Sequence, residues 1–378
     1  KGIMKFTIQT KTLLSKLSLA NQTVDNLSLN PILSGVLVEV NENGIILTSS
    51  NSSCSSKIFI NENLNVEKEG KFLIKSKTLY EIINNISDDE VKFEIIDNGI
   101  LRLTTKNYHS DYILLDTNSY PNISFDHQDW TRVVLKKSFF DNINTKLTNF
   151  IDVSNESLNH NVTGVLVDTT RKDNKIESIA TNGSQLGYLE CEYEGPKFKI
   201  VINPSNIKFI SSITKDDNSD ILFYLKDSKL MLETKNNLFL FKLIETNYPS
   251  VYRAIETNYP YSFIADKKML SSAISRATVI AQGDKSPMIK FTINRNSLTL
   301  FARSAEKGTS DETISIESET IDKTYEFYFN IKFLNNVIKT LDDTSISFNF
   351  IAEGKQVVIK ECNSNNFKTL LLPIIASF

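Results

Sequence analysis

The sequence is poor in the residues that mark secreted and metal-binding proteins. Its 378 residues include only three cysteines, which lie far apart. An odd and scattered set of cysteines argues against a disulfide framework and favours a reducing compartment. The three histidines, His109, His127 and His160, have no metal-ligand spacing with one another or with the cysteines. We therefore expect neither a structural metal nor a disulfide.

Long hydrophobic runs are also missing. No segment approaches the roughly 20 apolar residues that a membrane-spanning helix requires. The first ten residues lack the basic and apolar regions of a signal peptide. The sequence therefore predicts a cytoplasmic protein without a membrane partner.

Glycine is scarce, with 12 residues in the chain, and none falls in a phosphate-binding loop. The sequence contains no P-loop, dinucleotide fingerprint, zinc spacing or nucleophile elbow. These absences predict a protein that is not an enzyme and that holds no cofactor.

What the sequence does contain is a repeat. Three segments share one order of features: a strand-like run, a lysine or asparagine, an amphipathic helix, an acidic turn and a second strand. These segments are Lys71–Asp97, Lys197–Lys226 and Tyr325–Ala352. Aligning Lys75 with Asn203 and Asn330 superposes apolar residues three apart, which is the spacing of one buried helix face. The superposed residues are Leu79 and Ile82, Ile207 and Ile210, and Leu334 and Val337.

Each repeat also begins with a strand and a lysine-headed helix, followed by alternating segments typical of antiparallel hairpins. Asn43 and Gly44 form the clearest hairpin signal. The chain is long enough for two or three domains. We therefore predict an α+β fold of three tandem similar domains, each with two helices on antiparallel sheets. The predicted domains are residues 4–127, 128–256 and 257–378.

The charges are unevenly distributed, although the net charge is only −3. The six predicted helices are residues 11–20, 75–86, 136–148, 204–214, 266–281 and 331–340. They contain 13 Lys or Arg and three acidic residues, which leaves 29 basic and 42 acidic residues elsewhere. Glutamate forms helices about as well as lysine does, so its near absence favours helix surfaces that contact phosphates without reading sequence.

Acidic residues follow the second helix of each repeat, at Asp88–Glu90, Asp216–Asp217 and Asp342–Asp343. Their recurrence in three copies indicates solvated turns. The alternative is a metal-dependent nuclease or another phosphotransfer enzyme that uses these carboxylates.

Several short motifs, in this order, resemble the bacterial DNA sliding clamps, the beta subunits of the replicative DNA polymerase III. The resemblance covers essentially the whole chain from Met4. The motifs are Met4-Lys-Phe-Thr-Ile8, Pro31-Ile-Leu-Ser-Gly-Val-Leu-Val-Glu-Val40, Tyr120-Pro-Asn122, Ala180-Thr-Asn-Gly-Ser-Gln-Leu186, Tyr248-Pro-Ser-Val-Tyr-Arg253 and Leu371-Leu-Pro-Ile374.

This resemblance implies a DNA polymerase processivity factor that catalyses nothing. Two copies would join head to tail in a closed ring, whose helices line a hole for double-stranded DNA. An ATP-driven loader would open the ring. The residues expected to contact DNA are Lys77, Lys146, Lys208, Arg276, Lys332 and Lys339. A repeat scaffold that binds only proteins and encircles no DNA is the alternative.

The resemblance also implies an apolar cleft for short linear peptides of the polymerase III alpha subunit, the clamp loader and repair proteins. By motif, the cleft residues are Val162, Thr181, Gly183, Leu186, Pro249, Arg253, Ala254, Leu371, Leu372, Pro373 and Ile374. Ser184 and Gln185 replace the usual His-Arg pair, and Ile375 stands where the family often has Arg. We therefore expect the polar rim of this cleft to differ from that of better-known clamps.

The family position of two further segments predicts the contact between copies. Tyr112 and Leu114, on an edge strand of the first domain, are expected to meet Val279 and Ile280, at a helix end of the third. A head-to-tail contact that closes after two subunits gives a ring rather than a fibre.

Overall fold

The computed structural model describes residues 4–27, 31–97, 99–151, 163–215, 220–283 and 286–375. Within these ranges the chain forms 25 β-strands and seven α-helices. Every strand pairing found there is antiparallel. The predicted α+β class is confirmed.

The strands are short and separated by tight turns. The strands before residue 136 are β1 (Met4–Gln9), β2 (Gly35–Asn41), β3 (Gly44–Ser50), β4 (Cys54–Ile60), β5 (Leu64–Lys68), β6 (Gly70–Lys75), β7 (Glu90–Asp97), β8 (Ile100–Thr104), β9 (His109–Ile113) and β10 (Thr131–Leu135). The next are β11 (Val165–Asp168), β12 (Lys175–Thr181), β13 (Gln185–Glu192), β14 (Lys199–Ile202), β15 (Ile221–Lys226), β16 (Lys229–Thr234) and β17 (Asn237–Lys242). The last are β18 (Tyr261–Asp266), β19 (Met288–Asn294), β20 (Ser297–Ser304), β21 (Gly308–Ser315), β22 (Tyr325–Asn330), β23 (Ser345–Phe350), β24 (Val357–Glu361) and β25 (Phe367–Leu371).

The helices lie close to their predicted positions. They are α1 (Thr10–Asn21), α2 (Ser76–Asn84), α3 (Lys137–Asn142), α4 (Pro204–Ile213), α5 (Tyr252–Glu256), α6 (Lys267–Ala281) and α7 (Ile331–Thr340). A π-helical turn at Ile143–Leu147 and a 3₁₀ turn at Thr148–Phe150 extend α3. Further 3₁₀ turns lie at Pro31–Ser34 and Thr117–Ser119. The sequence did not predict the five-residue helix α5.

The three residues aligned by the repeat are helix caps. Lys75, Asn203 and Asn330 each occupy the N-cap position, before α2, α4 and α7. The side chain of Asn203 accepts a hydrogen bond from Ser205 N at 2.9 Å, and that of Asn330 accepts one from Lys332 N at 2.9 Å. Such bonds satisfy amide groups that the first helical turn leaves unpaired, which explains why asparagine begins the helix in two repeats.

The apolar positions after these caps face the core, as their spacing predicted. Leu79, Ile207 and Leu334 are at most 1% exposed, and so are Ile210 and Val337. Ile82 is only partly buried. In α2 the buried position is instead the next residue, Ile83.

The chain divides into two compact units. The first comprises Lys1–Leu135 with Asp220–Leu243. It contains a five-stranded sheet in the order β5-β1-β7-β8-β9 and an eight-stranded sheet in the order β10-β15-β16-β17-β4-β3-β2-β6. In its core the rings of Phe6 and Phe93 stack with their centres 4.7 Å apart. Because β17 pairs with β4, strands from both sides of the predicted boundary at residue 127 share one sheet.

The second unit comprises Lys136–Ser219 with Ile244–Phe378. Its eight-stranded sheet has the order β14-β11-β12-β13-β25-β24-β23-β18, and its four-stranded sheet the order β21-β20-β19-β22. Here β13 pairs with β25, so that Leu186 lies opposite Leu370. The division into three domains stays a prediction.

The structure gives the acidic turns partners within the protein. The Asp88 carboxylate accepts a hydrogen bond from Thr105 Oγ1, and the Asp343 carboxylate accepts one from Asn363 N at 2.9 Å. Asp216 and Asp217 lie outside the described residues. In the part of the chain that the structure describes, no group of three or more His, Cys, Asp or Glu side chains could hold a metal ion.

No helix among the described residues is long and apolar enough to cross a membrane.

Candidate functional site

A cleft in the second unit brings together three segments that are distant in the sequence. They are the β12–β13 turn, the stretch around α5 and the end of β25, and the β23–β24 connection adds Ile351 and Gln356. The cavity volume is about 690 Å³. This is within the range of ligand pockets in proteins.

Side-chain hydrogen bonds shape the β12–β13 turn. Thr181 Oγ1 donates to the Gln185 carbonyl at 2.7 Å and accepts from Gly183 N at 3.0 Å. The Asn182 side chain accepts from the backbone amides of Ser184 and Gln185, both at 3.0 Å. Gly183 has a φ of +90°, a conformation that glycine adopts without steric cost. The residue types of this motif are therefore those that the turn geometry requires.

The end of β25 forms a second wall, and only alternate residues face the cleft. Leu370 and Leu372 line it, and Leu372 is 42% exposed. Leu371 is fully buried and points to the other face of the sheet, because successive side chains of a strand alternate. A hydrogen bond from Leu372 N to the Ser184 carbonyl, 2.9 Å long, joins this wall to the β12–β13 turn.

The helix α5 and the preceding residues form a third wall. Pro249, Val251, Arg253 and Ala254 all line the cleft. Arg253 is exposed and is the one charged side chain among the lining residues. The cleft therefore combines an apolar floor, which includes Leu186 at 4% exposure, with a single cation at its rim. This arrangement suits an apolar ligand that carries few charges.

A buried polar network lies beneath α5. The phenol of Tyr252 is 3.4 Å from Asp168 Oδ2, and Asp168 is 1% exposed. Burial raises the pKa of Tyr252, and the Asp168 carboxylate raises it further, so the phenol stays protonated and donates this hydrogen bond. Glu177, also 1% exposed, accepts from Tyr188 Oη at 2.7 Å.

The structure brings together seven of the predicted cleft residues: Thr181, Gly183, Leu186, Pro249, Arg253, Ala254 and Leu372. Leu371, Pro373 and Ile374 do not line the cleft, and the amide of Ile374 instead donates to the Tyr328 carbonyl at 2.7 Å. Val162 lies outside the described residues. Ser184 and Gln185, which the sequence analysis assigned to the polar rim, also line the cleft. The lining residues that the sequence reasoning missed are Ser250, Val251, Thr257, Ile351, Gln356 and Leu370. Leu370 could have been identified from the sequence, because side chains two residues apart on a strand lie on the same face and Leu372 was already predicted.

The predicted DNA-contacting residues fall into two groups. Lys77, Lys208, Arg276, Lys332 and Lys339 are exposed. Lys332 and Lys339 are seven residues apart on α7 and so share one helix face. Among the described residues, no carboxylate oxygen lies within 4 Å of the amine of Lys208, Lys332 or Lys339. Lys77 lies 3.9 Å from Glu81, and Arg276 forms a bidentate pair with Glu312 at 2.8 and 2.6 Å.

Lys146 differs from the other five. Its side chain is 15% exposed, and its amine lies 2.7 Å from Asp342 and 3.5 Å from Glu361. The amine also lies 4.8 Å from the centre of the Phe367 ring. A cation held by two carboxylates and a ring has little free charge for phosphate, so this geometry argues against the predicted role of Lys146.

The residues predicted to join two copies lie at the edge of a sheet and near the end of a helix. The strand β9 is an edge of the five-stranded sheet, and β21 is an edge of the four-stranded sheet. Tyr112 and Leu114 are partly buried against the core of the first unit, whereas Ile113, between them, is 88% exposed. Val279, near the end of α6, is 61% exposed, and Ile280 is partly buried. Ile113 is thus the exposed apolar side chain that the sequence reasoning missed.

Comparison with solved structures identifies the class of protein. The sliding clamp of Bacillus subtilis superposes with a TM-score of 0.90 at 21% identity, covering 99% of this chain and 100% of that one. The DNA polymerase III subunit beta of Bartonella birtlesii, solved with bound griselimycin, gives a TM-score of 0.87 at 18% identity, with 99% and 100% coverage. The chain therefore has the fold of the DNA sliding clamps.

Sequence comparison identifies the family. The model of the DNA polymerase III beta subunit N-terminal domain matches residues 4–124, and that of its C-terminal domain matches residues 253–375. The beta sliding clamp of Staphylococcus epidermidis is 24% identical in an alignment 382 residues long, which covers 98% of this chain and 99% of that protein. The chain belongs to the DNA polymerase III beta subunit family.

Proposed function

We propose that this protein is the processivity factor of a bacterial replicative DNA polymerase, a sliding clamp that catalyses no reaction. The observation that carries the proposal is its membership of the beta subunit family, with a fold that matches solved clamps over their whole length. As a replication protein of this class, it acts in the bacterial cytoplasm.

The first element of this function is a ring that two copies form around double-stranded DNA. The main support comes from Lys208, Lys332 and Lys339, which are exposed on helices and form no ion pair among the described residues. Lys77 and Arg276 are also exposed on helices, but Glu81 and Glu312 lie beside them. Such side chains attract phosphates without reading bases. A ring closed around the duplex needs only weak contacts of this kind, because topology, and not affinity, keeps it on the DNA.

The second element is the association of two copies. The exposed edges β9 and β21 each offer unpaired backbone groups. Ile113 and Val279 add apolar surface beside these edges. We propose that β9 of one copy meets β21 of the other, with Ile113 joining Tyr112, Leu114, Val279 and Ile280 at the contact.

The third element is the recruitment of partners through the cleft. Its apolar floor fits two large side chains of a short peptide, such as adjacent leucine and phenylalanine, each worth about 1.5–3 kcal/mol when fully buried. Arg253, which is exposed and lines the cleft, would bind a polar or acidic group of the same peptide. The proposed partners are the polymerase III alpha subunit, the clamp loader and repair proteins.

A retention assay tests the function. The protein is placed on nicked circular DNA by a bacterial clamp loader with ATP, and the DNA is then purified by gel filtration. We expect the protein to stay with circular DNA and to leave after the circle is cut, because a ring slides off a free end. In a primer-extension assay, the loaded protein should lengthen the products that the polymerase makes in one binding event.

Two results would favour the other functions considered. Peptide binding with no DNA retention and no longer products would support a scaffold that binds only proteins. Metal-dependent cleavage of the DNA, abolished by replacing Asp88 or Asp342, would support a nuclease.

A further inference from the structure

The helix α5 is too short to hold its own position. It has five residues, and no side chain caps its N-terminus. Isolated helices shorter than about 12 residues are marginal in water. Tertiary contacts must therefore set the placement of α5, and with it the placement of Arg253 and Ala254 in the wall of the cleft.

Arg171, in the β11–β12 connection, makes two of these contacts. Its guanidinium carbon lies 3.4 Å from the centre of the Tyr252 ring, at the start of α5. Its Nη2 donates to Glu256 Oε1 at 2.5 Å, at the end of α5. One side chain therefore holds both ends of the helix, by stacking on one residue and by ion pairing with the other.

The same guanidinium is anchored to the sheet beneath. Its Nε donates to Glu177 Oε2 at 3.0 Å, and Glu177 is 1% exposed. A carboxylate buried to this extent requires cationic partners. Among the described residues, these partners are Arg171 and Lys172, whose amine lies 3.3 Å from Glu177. This pairing limits the positions that Arg171 can take, and so it makes Arg171 a fixed support for α5.

We propose that Arg171 is a positioning residue of the peptide-binding cleft. It lies outside the cleft lining and acts through Tyr252 and Glu256, which flank the lining residues Arg253 and Ala254. Without Arg171, the peptide would have to order α5 as it binds, and its affinity would fall. The proposal rests on the proposed function of the cleft as a peptide site.

Lys172 provides a matched control because it binds the same buried carboxylate and, among the described residues, forms no hydrogen bond or ion pair with α5. Its amine reaches Glu177, Glu190 and the Tyr188 hydroxyl. The variants R171M and K172M therefore each remove one cation from Glu177, but only R171M removes the support of α5. R171K keeps the charge and loses the planar stacking surface.

The test is a fluorescence-anisotropy titration with a fluorescein-labelled hexapeptide that contains adjacent leucine and phenylalanine. It is performed on the full-length chain and on each variant, with thermal unfolding measured in parallel. We expect R171M to weaken binding about tenfold or more and R171K to weaken it about threefold or more. We expect K172M to bind within about twofold of the unchanged chain although its melting temperature also falls.

A double-mutant cycle provides a readout that a merely structural role would not change. If Arg171 acts by placing α5, the loss caused by R171M should shrink in an R253A background, because the placed side chain is no longer present. Two results would overturn the proposal: folded R171M and R171K that bind as well as the unchanged chain, or K172M that binds as weakly as R171M. Failure of the unchanged chain to bind the peptide would instead reject the cleft as a peptide site, and the inference with it.

Discussion

The amine of Lys146 lies 2.7 Å from Oδ2 of Asp342, the first residue of an acidic turn. It also lies 3.5 Å from Glu361, whose side chain is 9% exposed. This pair joins the π-helical turn after α3 to the turn after α7. A lysine that sequence alone assigned to DNA contact is thus part of the protein's internal ion pairing.

The first prediction separates Lys146 from the exposed lysines of α7. K146A should lower the free energy of unfolding by about 1–3 kcal/mol, because it leaves the buried Glu361 carboxylate without its cation. The double variant K332A/K339A should unfold as the unchanged chain does. It should bind linear duplex DNA more weakly, and its slope of log affinity against log salt should shrink by roughly 0.9 for each phosphate that the variant no longer neutralises.

Denaturant unfolding and duplex titrations at several salt concentrations measure both effects. An unchanged salt slope in K332A/K339A would place α7 away from the DNA. If K146A keeps its full stability and its DNA binding shows a smaller salt slope, Lys146 contacts DNA after all.

The second prediction concerns neighbouring leucines at the end of β25. L372A should weaken binding of the Leu-Phe peptide about fivefold to tenfold and leave stability nearly unchanged, because Leu372 is 42% exposed in the cleft wall. L371A should cost about 2–5 kcal/mol of stability, since Leu371 is fully buried. Below its melting temperature it should retain most of its peptide affinity. Equal losses of affinity in the two variants would show that the peptide does not use the face on which Leu370 and Leu372 lie.

A C-terminal truncation offers a second test of the cleft, and the alternation of side chains along β25 decides where the chain should end. Removing the chain from Leu371 onward would delete a buried residue that pairs with Gln185 and Val357. Stopping the chain after Leu371 removes Leu372 and keeps that pairing. This shorter deletion separates loss of the cleft from loss of the fold.

The third prediction addresses the contact between copies. I113K should convert the proposed dimer to a monomer, because a lysine at this 88% exposed edge position would place a charge inside the proposed contact. I280D should have the same effect from the other side of the contact. Sedimentation velocity measures the mass. L27K is the control, since Leu27 is 95% exposed and lies outside every strand and helix. If I113K stays dimeric, the contact lies elsewhere.

The fourth prediction is a pH dependence of stability that depends on Glu190. Burial opposes ionisation of this carboxyl, but hydrogen bonds from Lys172 and Tyr188 hold its pKa below the ordinary value of 4.5. A depressed pKa in the folded state contributes stability that is fully present above about pH 4.5. That stability is lost as the pH falls through the folded-state pKa.

Melting temperatures between pH 7 and pH 3 measure this dependence. E190Q should be less stable than the unchanged chain at pH 7, and the difference should shrink steadily below about pH 4.5. A constant difference down to pH 3 would show that the ion pair with Lys172 does not contribute in the charged form.

The sequence by itself determined the local elements and their repetition. The caps Asn203 and Asn330 and the apolar spacing behind them act within one or two helical turns, so short-range chemistry was enough to place α4 and α7. The hairpin between β2 and β3 was readable for the same reason. Its two turn residues are Glu42 and Asn43, one position earlier than the Asn-Gly signal, because Gly44 already pairs with Asn41 as the first residue of β3. The order of motifs along the chain was enough to indicate the clamp family, because a family is recognised without knowing which side chains meet.

Only the tertiary structure decided which residues form the cleft and which lysines and arginines are held in ion pairs within the protein. The pairing of β13 with β25 joins residues that lie about 180 positions apart in the chain, and no local pattern encodes such a partner. That pairing sets which face of β25 is buried, so it places Leu372 in the cleft and Leu371 in the core. It likewise took folding to bring Lys146 to Asp342, and Arg171 to Tyr252 and Glu256. The role of a charged side chain such as Lys146 or Arg171 therefore depends on neighbours that come from distant parts of the chain.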